Sequence, residues 1–149
     1  MIKGFDIEGW AKEVLLLQKE SYRVEAEYIG TDEIPPLKES LEQLKECGEE
    51  FIGYFEDRKL VGALSYKMVS NVLDIHRVMV HPMHFRKGIA RELLSYVESF
   101  ADEIIVSTGA MNHPAVKLYL KSGFEKTGEQ TVGNGIHIAN FRKQMKRDR

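Results

Sequence analysis

The 149-residue chain holds one cysteine, Cys47. A single cysteine cannot close an internal disulfide or make a structural zinc site, so no metal is expected. Cys47 falls near the end of a helical pattern, which suits a structural role better than a nucleophilic one. No apolar run approaches the roughly 18 residues of a membrane span. The opening MIKGFDIEGW lacks the apolar core of a secretory signal. A cytoplasmic protein that meets no membrane is the expectation. Neither sign of charge dominates: Lys plus Arg number 21 and Asp plus Glu 23, a net charge of −2. That balance argues against nucleic acid as the main partner. The basic cluster from Arg142 to Arg149 reads as a solvated tail. Repeats, low-complexity stretches and linkers are missing too, so residues 1–149 read as a single domain around one core. Two familiar phosphate loops, G-x-x-x-x-G-K-S/T and G-x-G-x-x-G, do not occur.

What is there begins as helix. Apolar residues at helical spacing run from Ile7 to Ile29 and stop at Gly30-Thr31-Asp32. Pro35-Pro36 can open a second helix, and LKESLEQLKE places Leu37, Leu41 and Leu44 on one face. From Glu50 the period shortens to two. FIGYFEDRKLVGALSYKMV reads as two strands joined at Glu56 to Lys59. VLDIHRVMVHP is a third strand, stopped by Pro82. Lys87 to Ala101 carries an apolar helical stripe. EIIVSTG is a short apolar strand of the kind covered on both faces. Pro114 to Lys121 is a short helix ended by Gly123, and FEKTGEQ and IHIANFRKQM close the chain as strands. A strand in MIKGF is weakly marked, because its residues do not alternate. The order predicts an α+β protein: one mixed, mostly antiparallel sheet flanked by about four helices, not a doubly wound Rossmann fold.

The stretch HPMHFRKGIARELL sits between a strand and a helix. The first turn of a helix has unpaired N–H groups and a partial positive charge. Gly88 places no side chain over those amides, and Arg86 and Lys87 add charge. On physical grounds this is an anion pocket suited to phosphate. Taken alone, one glycine at such a turn serves close packing equally well.

VMVHPMHFRKGIARELL resembles the acetyl-CoA-binding motif of the GNAT N-acetyltransferase superfamily, Q/R-x-x-G-x-G/A between a strand and a helix. Gly88 and Ala90 fill the last two fixed places. Phe85 departs from the pattern where Gln or Arg is usual. A second GNAT motif follows the next strand in the right order. It is Asn112, Ala115, the pair Leu118-Tyr119, and Gly123-Phe124.

The resemblance implies a sheet in which two neighbouring strands part midway. Backbone groups of the first, at Met79 and Val80, would pair with the pantetheine arm of acetyl-CoA. The amides around Phe85, Arg86, Lys87, Gly88, Ile89 and Ala90 would hold its pyrophosphate. Asn112 would offer its amide to the arm or to the N-terminus of the next helix, Ala115 would lie along the arm, and Tyr119 would protonate the departing thiolate. A backbone N–H near Val80 would steady the developing oxyanion. For the proton on the attacking amine, Asp74 and His76 are the candidates, fourteen and twelve residues before Gly88 on one strand. A water relay is the alternative, and His113 a further one. In the family the N-terminal helices and their loop line the acceptor pocket. Here Glu27, Asp32 and Glu33 would attract a cationic amine, and the turn TVGNGIH with His137 would rim the site.

The implied function is transfer of acetyl from acetyl-CoA directly to a primary amine of a small molecule or protein. The rival is a non-catalytic acyl-CoA-binding or regulatory module of the same fold. A pure binder has no use for Tyr119 and Asn112, which favours the enzyme. Dimerisation is common in the family, so a second copy of the chain is a candidate partner.

Overall fold

The computed structural model describes residues 1–31 and 33–145. Asp32 and the end of the basic tail, residues 146–149, lie outside the described residues. MIKGF does form a strand, β1 (Ile2–Phe5), held by pairing rather than by pattern. Helix α1 (Ile7–Ile29) opens on Asp6, whose side chain accepts the Glu8 amide at 3.3 Å. It buries Ala11, Val14, Leu17 and Gln18.

The second expected helix divides in two, which brings the total to five among the described residues. Helix α2 (Pro35–Lys38) stops at Glu39, and α3 (Leu41–Lys45) restarts at Ser40. Ser40 accepts the Gln43 amide while the Gln43 side chain accepts the Ser40 amide, at 3.1 and 2.9 Å. This reciprocal cap holds Ser40 extended and forbids one continuous helix.

Strands β2 (Glu50–Glu56), β3 (Lys59–Val69) and β4 (Val72–Val80) form a meander. Its turns place Asp57-Arg58 and Ser70-Asn71 at positive φ, the turn hand that matches strand twist. Helix α4 (Ile89–Val97) is shorter at both ends than the expected Lys87–Ala101, because Gly88 at φ 77° cannot be helical and beyond Val97 the Glu98 and Phe100 amides turn to carbonyls three residues back. Then come β5 (Glu103–Gly109), α5 (His113–Lys121), β6 (Glu125–Val132) and β7 (Ile136–Gln144).

The sheet order is β1-β2-β3-β4-β5-β7-β6, with β4–β5 its parallel pair. That pair is short. Val72 to Ile75 face Glu103 to Val106, and there the ladder ends. Beyond it β4 stays on β3 as far as Val80, and β5 stays on β7 as far as Gly109. The two strands therefore fork, as the resemblance implied. At the fork β4 carries a bulge: Ser65 faces Arg77 and Tyr66 faces Ile75, leaving His76 as the extra residue.

The bulge swaps the side-chain alternation of β4. One apolar cluster joins Leu73, Ile75 and Val80 to α4 residues Ile89, Leu93 and Val97. The other joins Met79 to Val14 and Leu17 of α1 and Leu44 of α3. Close packing seats α4: a Cβ on Gly62 would stand 2.7 Å from Ile89 Cγ2. The glycine loop is thus fixed beside the end of β4.

Candidate active site

The loop leaves β4 at His81, whose Nδ1 accepts the Met83 amide at 3.1 Å. After a short 3-10 turn, Pro82–His84, the chain passes Arg86 at φ 67° and Gly88 at φ 77°. The Gly88 carbonyl accepts the Glu92 amide, so the earlier amides of α4 remain as first-turn donors. Ile89 sends its side chain into the core, 2% exposed, and contributes only backbone to the loop. Lys87 lies 3.1 Å from His84 Nδ1 and 3.8 Å from Glu56 of β2. Phe85 is 42% exposed, so the ring that replaces Gln or Arg stays at the surface. The loop fits a pyrophosphate: nothing lies within 4 Å of where a Cβ on Gly88 would stand, leaving the space above it open.

Inside the fork, α1 reaches both arms. From β4 the Val80 amide donates to Ser21 Oγ at 3.2 Å, and the Val78 backbone hydrogen-bonds the Tyr22 hydroxyl. The Val80 N–H, the expected oxyanion donor, therefore points into the gap. On the other arm Glu25 Oε1 accepts Thr108 Oγ1 at 3.1 Å and Asn112 Nδ2 at 3.0 Å. Asn112 Oδ1 caps α5 by accepting the Ala115 amide at 3.4 Å. Burial pushes the Glu25 carboxyl above the usual carboxylate range, against the opposing bonds from Asn112, Thr108 and the Gly109 backbone.

Tyr119, on α5, is 4% exposed. Its ring packs edgewise on Phe124 and tilted on Phe141, with centroids 5.7 and 5.6 Å away. Burial first, and the Glu25 charge second, push its phenol well above the ordinary tyrosine range. The phenol is therefore protonated at neutral pH and holds a proton to give.

Asp74 and His76 come together, with Nε2 to Oδ2 at 3.4 Å. Asp74 lies on the paired half of β4, opposite Ile105, before the strands part. His76 also approaches Glu49 at 3.6 Å. Beside them Arg77 forms bidentate ion pairs with Glu39 and Glu49 and donates to Gln18 Oε1. This ties α1, the α2–α3 junction and the residue just before β2 to the bulge. On the acceptor side Glu33 pairs with Lys38, Glu27 is exposed, and His137 meets Thr131 Oγ1 at 3.0 Å. His113 is exposed at the start of α5.

Sequence reasoning missed Ser21, Tyr22 and Glu25. A signal was present: Gln18, Ser21 and Glu25 continue the helical stripe that starts at Val14, and polar residues on a buried stripe call for partners.

A forked mixed sheet with a glycine turn between β4 and α4 is the GNAT class of fold. A family model for the acetyltransferase (GNAT) domain matches residues 19–145, and the chain belongs to that family. It is 39% identical over 140 residues to UPF0157 protein YqkA of Bacillus subtilis (strain 168), covering 92% of this chain. The chain spans only 41% of that relative's length. It is 37% identical over 65 residues to N-acetyltransferase 8 of Mus musculus, 40% of this chain and 29% of that one. Among solved structures, PaiA N-acetyltransferase from Thermoplasma acidophilum, in complex with coenzyme A, superposes with a TM-score of 0.78 at 20% identity. The match covers 97% of this chain and 98% of that one. The ribosomal-protein-S18-alanine N-acetyltransferase from Escherichia coli gives 0.79 at 12% identity over 99% of this chain and 95% of that one. These likenesses establish the shared fold. No helix among the described residues is long and apolar enough to cross a membrane.

Proposed function

We propose that the protein is an acetyl-CoA-dependent N-acetyltransferase that moves acetyl directly onto a primary amine of a small molecule or protein. The fork carries this reading, with the Val80 amide aimed into it and Tyr119 near enough to Tyr22 and Glu25 of α1 to interact electrostatically with them. Acetyl-CoA supplies the thioester carbonyl to be attacked. The Val78 and Val80 backbone groups, which turn toward the gap, pair with the pantetheine arm as an added strand would, whereas Met79, expected there beside Val80, turns its backbone to β3 opposite Ala63. The amides from Gly88 to Ala90 hold the pyrophosphate, with Arg86 and Lys87 as cationic neighbours. Ser21 Oγ gives up the Val80 N–H to the carbonyl oxygen, which gains charge as the amine attacks. Tyr119 protonates the leaving sulfur. Asn112 spends its carbonyl on the α5 cap and its amide on Glu25, so it shapes the wall beside the arm.

The same reading takes residues 1–149 as one catalytic domain in the cytoplasm, able to pair with a second copy. Asp74 and His76 are the part of the sequence reading that the geometry supports least, since they meet each other on the unforked half of β4.

The test is acetyl-CoA consumption screened over polyamines, amino acids, aminoglycosides and peptides. One amine class is expected to turn over, and Tyr119→Phe to lose on the order of 10²–10⁴ in kcat. Tight CoA binding with no turnover on any amine would leave the protein an acyl-CoA-binding module.

A further inference from the structure

We infer that Glu25 is the proton acceptor for the attacking amine and works as a pair with Tyr119 across the fork. This deepens the N-acetyltransferase reading and rests on it.

Three observations single out Glu25. It is a carboxylate on α1, between Tyr22, which the Val78 backbone of one arm bonds, and Thr108 and Asn112 of the other. It is half-buried, enclosed by protein yet still in contact with solvent, as an acceptor route requires. It stands near enough to Tyr119 for its charge to act on the phenol. Asp74 shares the half-burial but not the placement: it lies on the paired half of β4, six residues before Val80, about 20 Å along a strand.

The proton balance closes within the pair. An amine entering as free base forms an N–C bond to the thioester carbonyl carbon, and its N–H proton passes to a Glu25 oxygen. The C–S bond breaks, sulfur leaves with the bonding electrons, and it takes the Tyr119 proton. The proton on Glu25 then returns to the phenolate, restoring both groups. Amide and free CoA thiol are the products. The order is favourable, because neutralising Glu25 removes the charge that holds the phenol up, so Tyr119 becomes a better acid as the thiolate departs.

Among the described residues, the titratable groups coupled to Glu25 are Tyr22 on its own helix and Tyr119 on α5; Arg77 acts on Tyr22 from β4. From β5 and the turn after it come the neutral Thr108, Asn112 and Gly109 backbone.

The test uses the full chain and the best amine from the screen. The kcat/KM–pH profile is measured for wild type, Glu25→Gln and Thr108→Val, with CoA affinity by titration calorimetry. Glu25→Gln should lose on the order of 10²–10⁴ in kcat, lose the acidic limb, and bind CoA as wild type does. Thr108→Val, which removes a bond that lowers the Glu25 pKa, should move the acidic limb to higher pH. An unchanged kcat and limb in Glu25→Gln, or an unmoved limb in Thr108→Val, overturns the role of Glu25. Loss of rate with parallel loss of CoA affinity and a retained limb overturns it too, leaving Glu25 as a mere support for Asn112. Collapse in Asp74→Asn or His76→Gln with Glu25→Gln active would return the role to β4. If wild type acetylates no amine at all, the N-acetyltransferase reading falls and the base falls with it.

Discussion

Glu25 and Arg77 show two ways in which a charge is kept beneath α1, and they have opposite consequences for stability. Burial outweighs hydrogen bonding at Glu25 and raises its pKa. A carboxyl with a raised folded pKa binds its proton more tightly folded than unfolded, so its contribution falls as pH rises through the carboxylate range. Glu25→Gln is therefore expected to match or exceed wild type in Tm at neutral pH, and to lose that advantage in acid. Thermal unfolding at two pH values checks this. Glu39 and Glu49 are the reverse case. Burial pushes both up, but the Arg77 bonds outweigh it and hold both below the usual range. Their contribution is present at neutral pH and is lost as pH falls through those depressed values. Removing the guanidinium in Arg77→Met leaves two carboxylates without their cation, Glu39 with the Gln18 amide and Glu49, only 7% exposed, with Ser65 and His76. The expected loss is about 3–5 kcal/mol at neutral pH in urea unfolding, shrinking as the carboxylates protonate.

Among the elements, the loop into α4 makes the sharpest claim. Gly88 at φ 77° keeps the first amides of α4 uncovered. Gly88→Ala strains the backbone by about 1–2 kcal/mol without meeting another atom. Gly88→Glu adds to the same strain a carboxylate where an anion is expected. CoA affinity should therefore fall at least about tenfold further than in Gly88→Ala, roughly 1.4 kcal/mol, as read by calorimetry. This element was readable from the sequence, because a glycine at a strand-to-helix turn leaves a local trace. So did α1, whose limits are set by Asp6 and Gly30. The α2–α3 break was not, because the leucine period continues through Ser40 and only the reciprocal cap with Gln43 cancels it. The bulge at His76 was equally hidden, since an extra residue shows only when the partner strand is in place.

At the scale of the molecule, the fork is a property of pairing that no single segment encodes. The resemblance to a known family predicted it; periodicity did not. Glu25 stayed out of sight for the same reason. Its partners Thr108 and Asn112 lie 83 and 87 residues away, and only the folded chain brings α1 between the two arms. The first half of the chain thus completes a site whose recognisable motifs all lie in the second half. The most direct measurement of the central claim follows both products of one reaction: free CoA thiol released and N-acetylated amine formed, by mass spectrometry with labelled acetyl-CoA. Equal amounts of the two, rising together and abolished together in Tyr119→Phe, are expected. Thiol release without acetylated amine, or neither product from any amine despite bound CoA, contradicts it.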